Sequence, residues 1–270
     1  HFGIMASFIK KYPKSFALKS IGLVVIILVV TAFYEFLIRP AAQSDFEAGK
    51  VVSAESGQTP FSIWIVLKDY EQQVCFVLCF WALFLLALKI KDSIAENKSL
   101  EVDYLELGEE DRLKKEDARP VLWKLERGSE GNNQTLYYRV LYRTIEFFRF
   151  STSLEEITNV VKNSCEGELL RLDSQMSMIR YIAWAIPSIG FVGTVRGIGD
   201  ALGKAQAALE GDISAVTASL GTAFNSTLVA LLLSLVLMFV VYQVQRMQEQ
   251  LVMDVENHVN DKVVSKLYVG

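Results

Sequence analysis

The sequence predicts an all-α integral membrane protein. We expect four transmembrane helices, a helical cytoplasmic domain between the second and third, and an amphipathic cytoplasmic extension of the fourth. One observation is composition: of 270 residues, 51% are hydrophobic and 21% are charged, whereas soluble domains carry about 25% charged residues. The other is distribution, because the uncharged residues are gathered in long runs. The net charge of −4 gives no basic surface for nucleic acid, so the expected surroundings are membrane lipids.

The four predicted spans follow from the length of these runs, since a helix needs about 20 mostly apolar residues to cross the hydrocarbon core. The first is Ala17–Ile38, and the second is the uncharged stretch Gln72–Leu88. The third begins at Tyr181 and must run on through two charged residues to reach full length. The fourth lies within Ile213–Gln245, which contains no charged residue.

Orientation is predicted from the basic residues beside the spans, which favour the cytoplasmic side. The 39–71 segment, with Pro40 and Pro60, is poor in them and is predicted to be a periplasmic loop. Both termini are therefore expected in the cytoplasm. The basic residues that carry this argument are Lys10, Lys11, Lys14, Lys19, Lys89, Lys91, Arg180 and Arg246.

Four regions follow from this plan. Residues 1–90 hold an N-terminal tail and the first two spans, and residues 91–180 form a cytoplasmic domain whose later part has helical periodicity. Residues 128–133 are the clearest loop signal. Residues 181–245 hold the third and fourth spans, and in 246–270 an apolar residue recurs every fourth position, which predicts that the fourth helix continues into the cytoplasm.

Small and hydroxyl-bearing residues form one stripe on each of the last two spans. Such stripes either pack helices closely or line a polar pathway, and both interpretations stay open at this point. On the fourth span the stripe comprises Ser219, Thr222, Ala223, Ser226, Thr227, Ala230 and Ser234. On the third it comprises Ala183, Pro187, Gly190, Thr194, Gly197 and Ala201.

Charged residues are scarce inside the spans. Arg196 and Asp200 stand four positions apart on the third span, and we expect them to pair with one another near its outer end. No carboxylate or histidine lies at mid-depth in any span, although proton pathways usually need one. If the chain conducts protons, a partner must supply that group.

The isolated cysteines and the two histidines suggest neither a metal site, nor a disulfide framework, nor a nucleophile with its base. An enzyme is therefore not expected, and no cofactor is expected.

Two motifs carry a resemblance to a known family. The segment PSIGFVGTVRGI at 187–198, followed by ISAVT at 213–217 and GTAFNSTLVAL at 221–231, resembles the MotA/TolQ/ExbB proton-channel family over roughly 150–260. The plan of four spans with both ends inside is closer to MotA than to the three-span members. Thr194 and Thr227 match the family's pore-facing threonines, whereas Thr222 stands where ExbB-like members have a glutamate.

The resemblance implies a bacterial inner-membrane ring, expected to be a homopentamer, around a dimer of a single-span MotB/TolR/ExbD-type partner whose membrane aspartate takes the proton. It implies that Thr194 and Thr227 line an ion pathway, and we add Thr222 and Ser226 from the same stripe of the fourth span as further pathway candidates. Pro187, Gly190, Gly193 and Gly197 are then packing or hinge positions.

The implied function is the coupling of ion flow to mechanical work, with protons as the first choice of ion and sodium as the alternative. A flagellar-type stator, a TonB- or Tol-type energiser acting in protein transport, and a Zorya-like anti-phage motor remain open. The alternative from another class is a non-conducting membrane scaffold.

Overall fold

The computed structural model describes residues 14–56, 62–100, 105, 112–128, 135–209 and 213–268, and nearly all of them are helical. The predicted loop beyond Gly128 and the basic residues Lys10 and Lys11 lie outside this part of the chain. In chain order the helices are α1 (Lys14–Phe33), α2 (Arg39–Ser56), α3 (Ile63–Leu67), α4 (Tyr70–Ser99), α5 (Ala118–Gly128), α6 (Leu136–Phe148), α7 (Leu154–Gly203), α8 (Ala205–Leu209) and α9 (Ser214–Lys262).

Four stretches of the described chain are long and apolar enough to cross a membrane. This confirms the predicted all-helical, four-span class. The stretches are Ala17–Ala48, Tyr70–Ser99, Leu154–Gly203 and Ser214–Lys266.

The segment after the first span differs from the prediction. A loop was expected from residue 39, but a π-helical turn at Tyr34–Ile38 joins α1 directly to α2, which extends to Ser56. The backbone N–H of Arg39 bonds to the carbonyl of Tyr34, which is the wider π-helical spacing. Pro40 lacks a backbone N–H and would interrupt a regular helix. The widened turn just before it lets the helix continue.

The chain divides into two compact units. Unit 1 comprises residues 1–86 and 178–241, and unit 2 comprises residues 87–177 and 242–270. Helices α7 and α9 each contribute one part to each unit, because both are about 50 residues long.

Unit 2 has a hydrophobic core built from α5, α6, the beginning of α7 and the end of α9. Ile157 and Val161 of α7 are completely buried there, as is Val259 of α9. The repeat predicted after residue 246 is thus buried on one side of a helix that continues to Lys262. After that helix the chain makes a bridge with Leu113. The Leu113 N–H donates to the Lys266 carbonyl at 2.9 Å, and the Leu113 carbonyl accepts from the Tyr268 N–H at 2.9 Å.

The three cysteines are all free and all buried. Cys75 and Cys79 lie in α4, and Cys165 belongs to the core of unit 2. Burial in that core raises the pKa of Cys165 to about 12, so its thiol stays protonated and unreactive at neutral pH.

Candidate functional site: the seam between α7 and α9

Three glycines of α7 lie where α9 comes closest. A Cβ atom at Gly190 would overlap the Ala230 side chain. At Gly193 it would lie 2.6 Å from Ser226 Cβ, and at Gly197 it would lie 2.8 Å from the backbone nitrogen of Ala223. No side chain other than hydrogen fits at these positions without moving the helices apart. We call this contact the glycine seam, and close approach through small residues is the usual way in which membrane helices associate.

Thr194 and Thr227 meet in the middle of the glycine seam. Their hydroxyl oxygens share a hydrogen bond. The Thr194 hydroxyl also lies 3.1 Å from the carbonyl of Ala223, and the Thr227 hydroxyl lies 3.2 Å from the carbonyl of Gly190. A hydroxyl has only one proton to donate, so each threonine has more acceptors within reach than it can use at once. The pair can therefore exchange hydrogen-bond partners without any movement of the backbone.

Ser226 is not placed like the two threonines. Its side chain is 1% exposed, lies against Gly193, and donates to the carbonyl of Thr222 in its own helix at 2.8 Å. Within one chain it is a packing residue of the seam. The stripe on α9 could not reveal this, because Ser226 is covered only through the missing side chain of Gly193 on the other helix.

Two further polar contacts hold the seam at its ends. Ser234 of α9 donates to the carbonyl of Ala183 at 2.9 Å, and Lys204 donates to Ser219 at 2.8 Å. Between them, Pro187 lies half-buried inside the continuous helix α7. In lipid, such hydrogen bonds replace contacts with water and fix the register of the two helices.

Arg196 has a different partner from the one predicted. Its guanidinium bonds to Glu71 of α4 at 2.9 Å, whereas Asp200 is exposed on the next turn of α7. The prediction of an Arg196–Asp200 pair was wrong because spacing along one helix says nothing about a third helix. The Glu71 side chain is only 13% exposed, and its Cγ lies 3.2 Å from the Cβ position of Gly193. The ion pair thus ties α4 to the seam.

Asp69 and Gln72 were not among the site residues predicted from the sequence. Asp69 directly precedes α4, and Gln72 lies in its first turn. The backbone N–H of Asp69 donates to Gln72 Oε1 at 2.8 Å, and the Thr222 hydroxyl lies close enough to the Asp69 carboxyl to influence its ionisation. Burial is the main cause that raises the pKa of Asp69. Glu71 adds to this, and Lys68, Arg196 and the Thr222 hydroxyl oppose it. The only signal in the sequence was a pair of polar residues beside an apolar run, which is common at span ends.

The outward side of the same helices is apolar. On α9 the side chains of Phe224 and Leu235 are 65% and 70% exposed, and on α7 the side chain of Phe191 is 63% exposed. Exposed aliphatic and aromatic side chains beside a buried row of small residues are typical of helices surrounded by lipid or by other membrane helices. The chain is a multi-pass membrane protein.

Unit 2 contains the other buried charged group of interest. Glu168 of α7 accepts from Arg139 at 2.8 and 2.9 Å and pairs with Arg171 at 2.8 Å. Burial opposes ionisation of this carboxyl, but the two guanidinium groups outweigh it and hold the pKa of Glu168 below its ordinary value. Arg139 and Arg171 also line an open cavity of about 730 Å³, together with Glu96, which accepts from the backbone N–H of Leu136 at 2.6 Å. These contacts join α4, α6 and α7, and we interpret them as structural.

Among the described residues, no group of three or more histidine, cysteine or acidic side chains is arranged to hold a metal ion.

Comparison with known proteins gives one match. Residues 132–257 match the model of the MotA/TolQ/ExbB proton channel family. This range contains the glycine seam together with α6 and most of the part of α9 that belongs to unit 2. Neither the curated proteins nor the solved structures gave a match.

Proposed function

Because residues 132–257 of this chain belong to the MotA/TolQ/ExbB proton channel family, we propose that it is a ring-forming subunit of an ion-driven motor complex in the bacterial inner membrane. In this proposal both termini are cytoplasmic. The ring, a homopentamer, surrounds a dimer of a single-span MotB/TolR/ExbD-type protein. Ion flow between ring and partner drives mechanical work.

The hydrogen-bonded pair Thr194–Thr227 is the observation that carries this proposal. Both threonines are half-buried, and each hydroxyl has more than one acceptor within reach. Such a pair can pass a hydrogen bond to an incoming ion or water molecule and recover its own bonds afterwards. We propose that Thr194, Thr227 and Thr222 lie along the ion pathway, with Ser226 and the three glycines holding the two helices in register.

The titrating group at mid-depth is assigned to the partner. Residues 181–195 and 213–245 contain no Asp, Glu or His, so a proton cannot be held there by this chain alone. Transfer of one elementary charge across 100 mV supplies about 2.3 kcal/mol. Substantial work therefore needs many repeated transfers, as a rotating or ratcheting ring would provide. Sodium is the second candidate ion, because hydroxyl and carbonyl oxygens are also suitable ligands for it.

The first experiment is extraction of the chain from its native membranes in mild detergent, followed by native mass spectrometry. We expect several copies of this chain bound to a smaller single-span protein with one membrane aspartate. Repeated recovery of a homo-oligomer alone, under conditions that preserve a known complex of the same type, would contradict the proposal.

The second experiment removes the pathway hydroxyls without changing their shape. In vesicles containing the isolated complex, Thr194→Val and Thr227→Val should each reduce ion flux driven by a membrane potential by at least tenfold, because valine cannot exchange hydrogen bonds. The matched control is Thr217→Val, which removes an exposed hydroxyl of α9 that donates at 2.7 Å to the carbonyl of Ile213, the residue just before that helix. Equal flux in all three variants, with the oligomer intact, would remove the threonines from the pathway.

A non-conducting scaffold is the second candidate function. It is favoured by one observation, namely that the seam hydroxyls also bond to backbone carbonyls and so pack the helices of a single chain. It predicts an oligomer without a partner and without flux. Within the motor class, a flagellar-type stator, a TonB- or Tol-type energiser acting in protein transport, and a Zorya-like anti-phage motor differ in the process that is driven. The isolated partner would distinguish them.

A further inference from the structure

Two buried polar atoms at the beginning of α4 are left without hydrogen bonds. Gln72 is completely buried, yet its Nε2 has no acceptor, and Asp69 Oδ2 is buried with no donor among the described residues. The two residues are three positions apart and are already joined through the Asp69 N–H···Oε1 bond. A buried donor and a buried acceptor in one turn are rarely left unsatisfied, and an ordered water molecule is the usual partner for both.

The position of these atoms connects them with the glycine seam. Asp69 lies beside Thr222, whose hydroxyl favours the charged form of the carboxyl group and which lies five residues before Thr227 on α9. The neighbouring Glu71 is held by Arg196 and contacts the seam at Gly193. One carboxylate of this cluster is thus neutralised by an ion pair, whereas the other, Asp69, forms no ion pair with the residues that the structure describes.

We propose that Asp69 is a proton-exchange site at one end of the seam, completed by a water molecule that accepts from Gln72 and donates to Asp69 Oδ2. A hydronium ion arriving from bulk water gives its proton to the Asp69 carboxylate. This leaves a neutral carboxyl group and a water molecule, and in the reverse step the carboxyl group gives its proton back to a water molecule and becomes a carboxylate again. No other bond is formed or broken. This inference deepens the proposed function and rests on it for the direction of transfer.

The surroundings of Asp69 fit a group that is alternately charged and neutral. Burial and the negative charge of Glu71 favour the neutral form, whereas Lys68, Arg196 and the Thr222 hydroxyl favour the charged form. Tyr34 of the π-helical turn lies within electrostatic reach and is also buried without a hydrogen-bond partner in the described part of the chain. Asp69 thus has groups nearby that favour its neutral form and groups nearby that favour its charged form.

The test reads the proton on Asp69 directly. In the purified full chain in lipid nanodiscs, pH-difference infrared spectroscopy should show a protonated carboxyl band that titrates above the ordinary aspartate value of 3.8. The band should be lost in Asp69→Asn and retained in Asp200→Asn, where the replaced carboxylate is exposed. Retention of the band in Asp69→Asn, or its absence from the unmodified chain, would overturn the inference.

A second variant gives a result that misfolding of Asp69→Asn could not imitate. Thr222→Val keeps the shape but removes a hydrogen bond that favours the charged carboxylate, so the band should titrate at higher pH than in the unmodified chain. A shift to lower pH, or no shift, would overturn the inference. The infrared measurement requires neither the partner protein nor ion flux. If the complex conducts ions but Asp69 does not titrate, only the proposed Asp69 site is rejected. A titrating Asp69 in a chain that never binds a partner rejects only the proposed motor.

Discussion

Helices α7 and α9 are built in opposite ways in the two units. In unit 1 their facing sides carry glycine, alanine and hydroxyl residues, while Phe191 and Phe224 point outward. In unit 2 the same helices bury Ile157, Val161 and Val259, and most of their exposed positions are charged or polar. The segment Leu154–Ser177 alone contains five acidic and two basic residues.

The difference shows which force associates the helices in each unit. In water, removing apolar side chains from solvent stabilises the fold by about 25 cal/mol per Å². Lipid tails are as apolar as leucine, so large apolar residues gain nothing by facing inward there. Close packing and hydrogen bonds remain as the attractive forces. The same two helices are therefore held together by close packing and hydrogen bonds in unit 1, and by burial of apolar side chains in unit 2.

The largest expected effect is in unit 2. Ile157→Ala should lower the free energy of unfolding by about 2–5 kcal/mol, because it leaves a cavity in a completely buried position. The measurement is chemical denaturation of the full chain in detergent micelles. The control is Leu170→Ala on the same helix, whose side chain is 73% exposed and whose loss should cost less than about 0.5 kcal/mol. Equal losses would mean that burial in water does not hold unit 2 together.

A smaller effect is expected in the seam. Gly190→Ala adds a Cβ where Ala230 and the backbone of Ser226 already stand, and overpacking of this kind costs about 1–3 kcal/mol. Gly199→Ala is the control on the same helix, since nothing lies within 4 Å of its Cβ position. That control should be neutral or slightly stabilising, because alanine favours helix more than glycine does. If both variants behave alike, the helices are not in close contact at Gly190.

The smallest effect concerns the charged pair of unit 2. The pKa of Glu168 is lowered, with Arg139 and Arg171 outweighing burial, so the ionised form stabilises the folded state. That contribution is complete above the ordinary glutamate pKa near 4.5 and disappears as pH falls through the lower folded-state value. Glu168→Gln should therefore reduce stability at pH 7 by about 1–3 kcal/mol, and the difference from the unmodified chain should shrink below pH 4.5.

Exchange of a neighbouring acid supplies the control for that measurement. Glu166 lies on the same helix two positions earlier and is exposed. Glu166→Gln should leave stability nearly unchanged across the same pH range. A difference between Glu168→Gln and the unmodified chain that persists below the titration range would assign the loss to packing rather than charge.

Features that are determined by residues close together along the chain could be predicted from the sequence. The apolar runs gave the four spans, and the repeat after residue 246 gave the continuation of α9. The motifs at 187–198 and 221–231 predicted the family resemblance, and both lie within the residues that match the family model. Each of these signals lies within one helix or within one pair of adjacent helices.

Contacts between distant segments could not be predicted in this way. Glu71 and Arg196 are separated by 125 positions, and nothing local to either residue selects the other over Asp200. The contact of Asp69 with Thr222 is equally remote. The continuation of the first helix past Pro40 depended on a π-helical turn, for which the sequence has no reliable signal.

The burial of all three thiols makes the unmodified chain a suitable background for site-directed labelling. With Cys75, Cys79 and Cys165 covered, a single new cysteine at an exposed position such as Glu166 or Leu209 would be the preferred target of a maleimide reagent in the folded protein. Fluorophores or spin labels can then be attached without first replacing the native cysteines. Movement of the labelled positions would then be observable in a protein whose interior has not been altered.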